Sequence, residues 1–157
     1  MLKRKINDIL SNWKSNPNRK PLVIKGCRQC GKTSSVKEFA KNHYKHIIYL
    51  DFHENKELRT IFTGSLEVDY LTMLISAAIK DAIFVANETC IIFDEIQECP
   101  QARTSLKYFK LDGRYDIICT GSLLGVNGYS SKNTDDEMAS VPVGFEQIVE
   151  MYPMDFE

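Results

Sequence analysis

The sequence lacks the features that would place the protein in a membrane, outside the cell or on nucleic acid. No apolar run is long enough to cross a bilayer, and the basic residues near the amino terminus are not followed by the apolar core of a signal peptide. The formal net charge is only −1, so overall charge gives no argument for nucleic-acid binding. The 5 cysteines, an odd number, indicate reduced thiols rather than a disulfide framework. We therefore expect a cytoplasmic protein with no membrane partner.

The sequence does contain alternating strand and helix patterns, over a length typical of a single domain. Its 157 residues, 43% of them hydrophobic, are close to the usual size of a single domain. Apolar residues at helical spacing predict an amphipathic helix over residues 1–16. Further helices are predicted at 32–42, 55–62, 66–80 and 100–110. Strands are predicted at 22–25, 46–52, 89–94, 115–120 and 146–151, and this alternation indicates a parallel sheet with helices on both faces.

An octapeptide between the first strand and the next helix matches the pattern G-x-x-x-x-G-K-[ST] of a phosphate-binding loop. It reads Gly26-Cys27-Arg28-Gln29-Cys30-Gly31-Lys32-Thr33, and Ser34 follows. Glycines let backbone N–H groups turn towards phosphate oxygens, and the helix N-terminus adds partial positive charge. Lys32 would bring a full charge to the β- and γ-phosphates, and Thr33 a hydroxyl ligand for Mg²⁺. With a strand before it and a helix after it, this segment predicts a nucleoside triphosphate site over residues 26–34 rather than a structural turn.

The third predicted strand ends in two adjacent carboxylates, Asp94 and Glu95, after an apolar run. Apolar runs without alternation are typical of strands inside a parallel sheet. Asp94 is placed to hold Mg²⁺ through its water shell, and Glu95 to polarise an attacking water as a general base. This order favours a hydrolase over a kinase. Residues 55–58 lack the final aspartate of a guanine-recognition motif, so ATP is favoured over GTP.

Several stretches carry a more particular similarity, and they run in register over residues 18–157. They are residues 20–33, Phe93-Asp-Glu-Ile-Gln-Glu-Cys-Pro100, Thr120-Gly-Ser-Leu-Leu-Gly125, Pro142-Val-Gly144 and residues 151–157. Together they resemble a prokaryotic family of AAA+-type ATPases, usually called ATP-binding proteins or AAA family ATPases. In that resemblance the phosphate loop is the Walker A motif and the Asp94-Glu95 pair the Walker B motif.

The resemblance implies an α/β P-loop NTPase fold, a three-layer sandwich around a five-stranded parallel sheet in the order 5-1-4-3-2. It implies ATP and Mg²⁺ as ligands, with slow hydrolysis coupled to conformational change. We expect residues 1–157 to form the ATPase core alone, without the helical lid and C-terminal domain of the family. A homo-oligomer assembled through the AAA+-type interface is also implied, whereas a protein or DNA target is not identified.

Polar residues at the fourth strand's end are the family's candidates for sensing the γ-phosphate. Ser122 is the first candidate and Thr120 the second, and a hydroxyl that caps the following turn is the structural alternative. Asp51, which closes the second strand, is a candidate for holding or repelling Glu95. The family also takes an arginine from a neighbouring subunit. Arg103 and Arg114 are the arginines available late in the chain, and surface charge is the favoured role for each.

Two further segments carry hypotheses of their own. Residues 126–140 have almost nothing to bury and predict a mobile loop. Cys27 and Cys30 have the spacing of a redox pair, and their place beside Lys32 suggests that oxidation blocks ATP binding.

Three hypotheses for function follow. The first is an ATP hydrolase, the second is a nucleotide-dependent switch or binding module with negligible hydrolysis, and the third is a small-molecule P-loop kinase.

Overall fold

The computed structural model describes residues 2–26, 31–122 and 145–151, with side chains from residue 5 onwards. Its α-helices are α1 (Leu2–Ser15), α2 (Lys32–His43), α3 (Val68–Ala78), α4 (Pro100–Thr104) and α5 (Leu106–Asp112). Its strands are β1 (Leu22–Gly26), β2 (His46–Asp51), β3 (Thr89–Asp94), β4 (Asp116–Ser122) and β5 (Gln147–Glu150). Two 3-10 helices, Lys56–Phe62 and Ile96–Glu98, follow β2 and β3. The loop predicted at 126–140 lies outside the described residues.

The strands form one 5-stranded sheet in the order β2-β3-β4-β1-β5, and every pairing is parallel. Read from the other edge, this is the predicted order 5-1-4-3-2, which is confirmed. Parallel neighbours need a crossover between them, and the helices supply it. The order places β4 between β1 and β3, so the carboxyl ends of these three strands lie side by side. Ligands of open α/β sheets bind beyond such strand ends.

Helices cover both faces of the sheet, and a separate hydrophobic core fills each side. The α2 face, as we call the first side, packs α1 and α2 against strand residues that include Ile24, Ile92 and Ile118. The α4 face, on the other side, packs α3, α4, α5 and the first 3-10 helix against residues that include Val23 and Phe93. Successive buried residues of β1, β3 and β4 alternate between the two cores, because side chains in a strand point to opposite faces. Each central strand is therefore buried on both faces, as its apolar run predicted.

The predicted helix at 100–110 is wrong as a single element, because the structure breaks it at Ser105. The Ser105 hydroxyl donates to the Ala102 carbonyl at 2.6 Å, and the Ser105 N–H bonds to the carbonyls of Gln101 and Ala102 at 3.0 and 3.1 Å. By bonding to the Ala102 carbonyl, the Ser105 hydroxyl competes with the regular helical hydrogen bond to that acceptor. No helix in the described part of the chain has the length and apolar character needed to cross a membrane.

Candidate nucleotide-binding site

The carboxyl end of β1 and the start of α2 flank the predicted phosphate loop. Gly26 is the last residue of β1, and Gly31 immediately precedes α2 with a φ of 87°, a left-handed conformation that favours glycine. Lys32 is buried at 3% exposure, Thr33 is half-buried and Ser34 is exposed. Cys27, Arg28, Gln29 and Cys30 lie outside the described residues, so the hypotheses about them stay predictions.

The Asp94 carboxylate, which is only 5% exposed, accepts hydrogen bonds from hydroxyls on three different elements. Thr33, in the first turn of α2, donates to Oδ1 at 3.1 Å. Thr120 of β4 donates to the same oxygen, and Tyr49 of β2 donates to Oδ2. We call these three donors the hydroxyl cage. The sequence predicted Thr33 and Asp94 as neighbours, and the structure brings them into direct contact.

Tyr49 is a member of the cage that the sequence analysis missed. It pairs with Ile92 across β2 and β3, which places it diagonally from Asp94 at the next position on the same face. Burial and the bond to Asp94 raise the pKa of Tyr49 well above its usual range, so its hydroxyl stays a donor. The available signal was that Tyr49 lies two residues before Asp51, the last residue of β2. Only the pairing of β2 with β3 shows that Tyr49 lies close to Asp94.

Glu95 has a left-handed backbone with a φ of 58°, which is uncommon for a residue with a side chain. Its N–H donates to the Thr120 hydroxyl at 3.3 Å, so the backbone around it is tied to β4. Its Oε1 accepts a hydrogen bond of 2.6 Å from the Gln97 side-chain amide. The Gln97 Oε1 is buried and has no partner among the described residues. The predicted base therefore follows Asp94 directly in the chain, with one oxygen held by Gln97, which the sequence analysis did not single out.

The other predicted residues at this edge take different places. Thr120 contacts both Asp94 and the Glu95 backbone, whereas Ser122 is buried and pairs with Gly26 in the β1–β4 register. Asp51 pairs with Asp94 in the β2–β3 register, as the strand order predicted. Its Oδ1 accepts from the His53 and Glu54 amides at 3.0 and 2.9 Å. Asp51 therefore closes the turn after β2.

A Mg²⁺ ion fits the chemistry of the donors that meet here. Mg²⁺ prefers hard oxygen ligands and is usually held by one or two protein groups plus water and substrate phosphates. A threonine hydroxyl and a carboxylate oxygen lie 3.1 Å apart at the end of the phosphate loop, and both are hard oxygen donors. Thr33 and Asp94 are therefore the residues that would hold the ion, directly or through its waters.

The α4 face carries a second group of buried charges, and it corrects one prediction. Arg103 is not a surface residue: its guanidinium donates to the Glu146 carboxylate, with a closest distance of 2.6 Å and side chains 10% and 2% exposed. A buried charge must be paired, which explains this arrangement. Burial and the nearby Arg103 lower the pKa of Lys25, which also lies 3.9 Å from Glu150. Arg114 is partly exposed and pairs with Asp69 and Asp112.

The cysteines within the described residues are free thiols, as predicted, and they pack in the interior. Cys90, Cys99 and Cys119 are buried free thiols. Burial raises the pKa of all three thiols above the usual value of 9.0, so they are inert near neutral pH.

The fold described above is similar to the folds of several solved structures. The chain is 10% identical to a chain of Drosophila ORC bound to DNA, with a TM-score of 0.57, over 98% of this chain and 93% of that one. A structure of Drosophila ORC bound to AT-rich DNA and Cdc6 matches with a TM-score of 0.55 and 10% identity, over 97% of this chain and 57% of that one. The Aeropyrum pernix ORC2 protein, in ADPNP-ADP complexes, matches with a TM-score of 0.50 and 17% identity. The match covers 96% of this chain and 46% of that one, so this chain spans about half of its length. At such identities these matches show the fold alone.

Family models are more specific than these structural matches. No curated protein sequence matches the chain. The model of the AAA domain, however, matches residues 18–157, which include the phosphate loop, the Asp94-Glu95 pair and every strand of the sheet. The chain therefore belongs to the AAA domain family of P-loop proteins.

Proposed function

We propose that the chain binds ATP with Mg²⁺ and hydrolyses it, coupling nucleotide state to a conformational change. One observation carries the proposal: the first turn of the helix after the phosphate loop contacts the carboxylate that ends β3, through the Thr33–Asp94 bond of 3.1 Å. The distance joins two motifs that lie 61 residues apart in sequence. Family membership supports nucleotide binding, and the adjacent Glu95 supports hydrolysis.

Residues 26–34 would bind the phosphates of ATP. Lys32 would supply the positive charge at the β- and γ-phosphates, and the backbone amides of the loop would supply the donors. Thr33 and Asp94 would hold Mg²⁺, which when bound neutralises charge on the phosphate oxygens.

Glu95 would accept a proton from the attacking water. Its carboxylate has one oxygen engaged by Gln97, which leaves Oε2 as the oxygen for that role. Thr120 and Ser122 would report the γ-phosphate. Of these two hydroxyls, Thr120 already bonds to the Asp94 carboxylate and to the Glu95 amide, which supports a connection between phosphate contacts and the base.

Nucleotide binding and phosphate release, measured on the unaltered chain and on two variants, test the proposal. Lys32→Ala is expected to weaken ATP binding by roughly 30-fold or more, because a buried charge-assisted contact is worth about 2–5 kcal/mol. Glu95→Gln is expected to keep ATP bound and to lower turnover by about 10²–10⁴-fold, the usual contribution of a general base.

Exposed residues of the same types provide matched controls. Lys41→Ala lies on the same helix as Lys32, and Glu57→Gln lies on the first 3-10 helix. Both are exposed and should leave binding and turnover unchanged. Equal ATP affinity in the unaltered chain and Lys32→Ala would contradict nucleotide binding at this loop. Turnover per chain that rises with protein concentration would support assembly through the AAA+-type interface.

The switch hypothesis, in which ATP orders an interface and hydrolysis is negligible, is favoured by the Gln97–Glu95 bond. The Glu95 carboxylate accepts a hydrogen bond of 2.6 Å from the Gln97 side-chain amide, so one of its oxygens is engaged before any water binds. Under this alternative, the unaltered chain and Glu95→Gln would bind ATP equally and share the same negligible turnover. Faster turnover in Gln97→Leu would then identify Gln97 as the residue that restrains the base.

A further inference from the structure

Tyr49 lies outside both nucleotide-binding motifs, yet its hydroxyl donates to the carboxylate at the centre of the site. The contact spans 45 residues of sequence and depends on the pairing of β2 with β3. Strand β3, which carries Asp94, lies between the edge strand β2 and strand β4. The Tyr49 ring therefore reaches Asp94 from the β2 side, opposite to β4. Asp94 is thus held from two neighbouring strands, by Tyr49 on one side and Thr120 on the other.

The three cage hydroxyls are not equivalent. Thr33 and Thr120 share Oδ1 of Asp94, whereas Tyr49 is the donor to Oδ2 among the described residues. If Thr33 turns its hydroxyl oxygen to a cation, the carboxylate keeps one donor on each oxygen. A carboxylate with a donor on each oxygen cannot rotate freely, and its remaining lone pairs keep a fixed direction.

Tyr49 is itself held in place. The Lys37 ammonium lies 3.8 Å from the centre of its ring, a cation–π contact. Its hydroxyl also lies 3.4 Å from Oδ2 of Asp51, whose Oδ1 is fixed by two backbone amides. The hydroxyl therefore has a second acceptor nearby, so a small movement of Asp94 does not leave it unsatisfied. These contacts fix the tyrosine independently of the nucleotide.

We propose that Tyr49 is a positioning residue for the metal: its hydroxyl orients the Asp94 carboxylate and so sets how strongly ATP binding depends on Mg²⁺. The inference rests on the proposed function, because it assumes ATP and Mg²⁺ at this site. It assigns no direct contact between Tyr49 and the ion. Partners of this kind, one bond removed from a metal, typically change metal affinity by about 10–100-fold when they are lost.

Tyr49→Phe tests the inference, because it keeps the ring and removes only the hydroxyl. ATP affinity is measured by calorimetry in excess EDTA and then over a series of Mg²⁺ concentrations. Binding of Mn²⁺ to the protein with ADP is followed by electron paramagnetic resonance. We expect Tyr49→Phe to bind metal-free ATP with unchanged affinity. It should need about a 10–100-fold higher Mg²⁺ concentration than the unaltered chain to reach the same increase in ATP affinity, and a similarly higher Mn²⁺ concentration to reach the same Mn²⁺ occupancy.

Tyr44→Phe is a matched control. The Tyr44 hydroxyl donates to the Asp116 carboxylate at 2.6 Å, so the same chemistry is removed at the amino end of β4, away from the site. This variant should leave metal dependence unchanged. If Tyr49→Phe matches the unaltered chain, or binds metal more tightly, the positioning role is overturned while ATP binding stands. If the unaltered chain does not bind ATP, the proposed function is overturned along with the inference.

A second measurement covers the case in which Tyr49→Phe does not fold. 3-Fluorotyrosine placed at position 49 alone keeps the hydroxyl, and its ¹⁹F resonance reports the bond to Asp94. Adding Mg²⁺ to the ATP-bound protein should shift this resonance, whereas the same label at position 44 should not respond. An unmoved resonance at position 49 would overturn the inference.

Discussion

The two faces of the sheet each bury a carboxylate, but they satisfy it in different ways. On the α2 face, Asp94 accepts from the neutral hydroxyls of Thr33, Tyr49 and Thr120. On the α4 face, Glu146 is paired with the Arg103 guanidinium at 2.6 Å, and Lys25 lies in the same charged group. Hydroxyls orient a carboxylate without cancelling its charge, whereas a guanidinium neutralises it. The first arrangement keeps the negative charge that the proposed Mg²⁺ site needs, and the second uses its charge to connect α4 to the segment that enters β5.

The comparison shows that burial of a carboxylate does not by itself mark a functional site. Both aspartate and glutamate are rarely buried without partners. The partner type separates the two cases here, because the donors to Asp94 in the described part of the chain are neutral hydroxyls, whereas Glu146 faces a guanidinium. Changing each carboxylate to its amide should therefore have opposite consequences for stability and for ligand binding.

The largest expected effect is on stability, in Glu146→Gln. This change leaves the buried Arg103 charge without a counter-charge, with Lys25 nearby. Breaking a buried pair from one side costs about 3–5 kcal/mol, and the low end applies because the amide oxygen can still accept one bond. Urea unfolding followed by circular dichroism measures the change.

Asp69→Asn provides the control for the Arg103–Glu146 pair. Asp69 pairs with Arg114 at the same distance of 2.6 Å, but with side chains 82% and 39% exposed. An exposed pair contributes about 0–1 kcal/mol, so this variant should unfold at nearly the same urea concentration as the unaltered chain. A loss of stability in Glu146→Gln no larger than that in Asp69→Asn would contradict the distinction between the faces.

The next largest effect is on metal binding, in Asp94→Asn. The amide keeps an oxygen for Thr33 and Thr120, and its nitrogen can donate to the Tyr49 oxygen while that hydroxyl turns to Asp51. We therefore expect stability within about 1 kcal/mol of the unaltered chain. Under the proposed function, Mg²⁺ strengthens ATP binding in the unaltered chain, and Asp94→Asn should reduce this gain in affinity. The reduction should exceed the ~10–100-fold that is typical for loss of a residue one bond removed from the metal. Calorimetry with and without Mg²⁺ measures it, and retained metal dependence would show that Asp94 does not serve the ion.

The smallest effect concerns a property that the faces share. Cys90 lies in the core of the α2 face and Cys119 in that of the α4 face, and burial raises the pKa of both thiols above 9.0. As pH rises past the unfolded value, the unfolded chain loses thiol protons that the folded chain keeps. Stability is thus retained below pH ~9 and falls above it, by about 1.4 kcal/mol per pH unit for each thiol.

Urea unfolding under reducing conditions between pH 8 and 10 checks this prediction. Cys90→Ala should reduce the slope of stability against pH by the contribution of one thiol, whatever it does to stability at neutral pH. Cys119→Ala should reduce the slope by a similar amount. A pH-independent stability across this interval would show that the thiols are not sealed from solvent.

Local patterns in the sequence were enough for the parts of the site that depend on short segments. Thr33 and Asp94 belong to contiguous motifs, and the strand that precedes each was visible as an apolar run. Strand boundaries were accurate to about two residues, and the strand order came from the resemblance rather than from periodicity. Asp51 was placed beside β3 by that same order.

Contacts between distant segments could not be predicted in this way. The reach of Tyr49 to Asp94 depends on strand register, and the Arg103–Glu146 pair joins residues 43 apart in sequence. Both depend on tertiary packing, which hydrophobic periodicity does not encode. Arg103 was consequently assigned to the surface, since arginine usually lies there. Gln97 lies within the segment 93–100 that carries the family resemblance. Its bond to Glu95 accompanies the left-handed backbone of Glu95, and the residue type alone does not indicate that conformation.

The left-handed backbone of Glu95 sets stability against chemistry at a single position. A residue with a side chain pays about 1–2 kcal/mol to adopt this conformation, and glycine does not. Directed evolution of this chain for heat resistance alone should therefore enrich glycine at position 95 and select proteins that outlast the parent while losing the carboxylate that we propose as the general base.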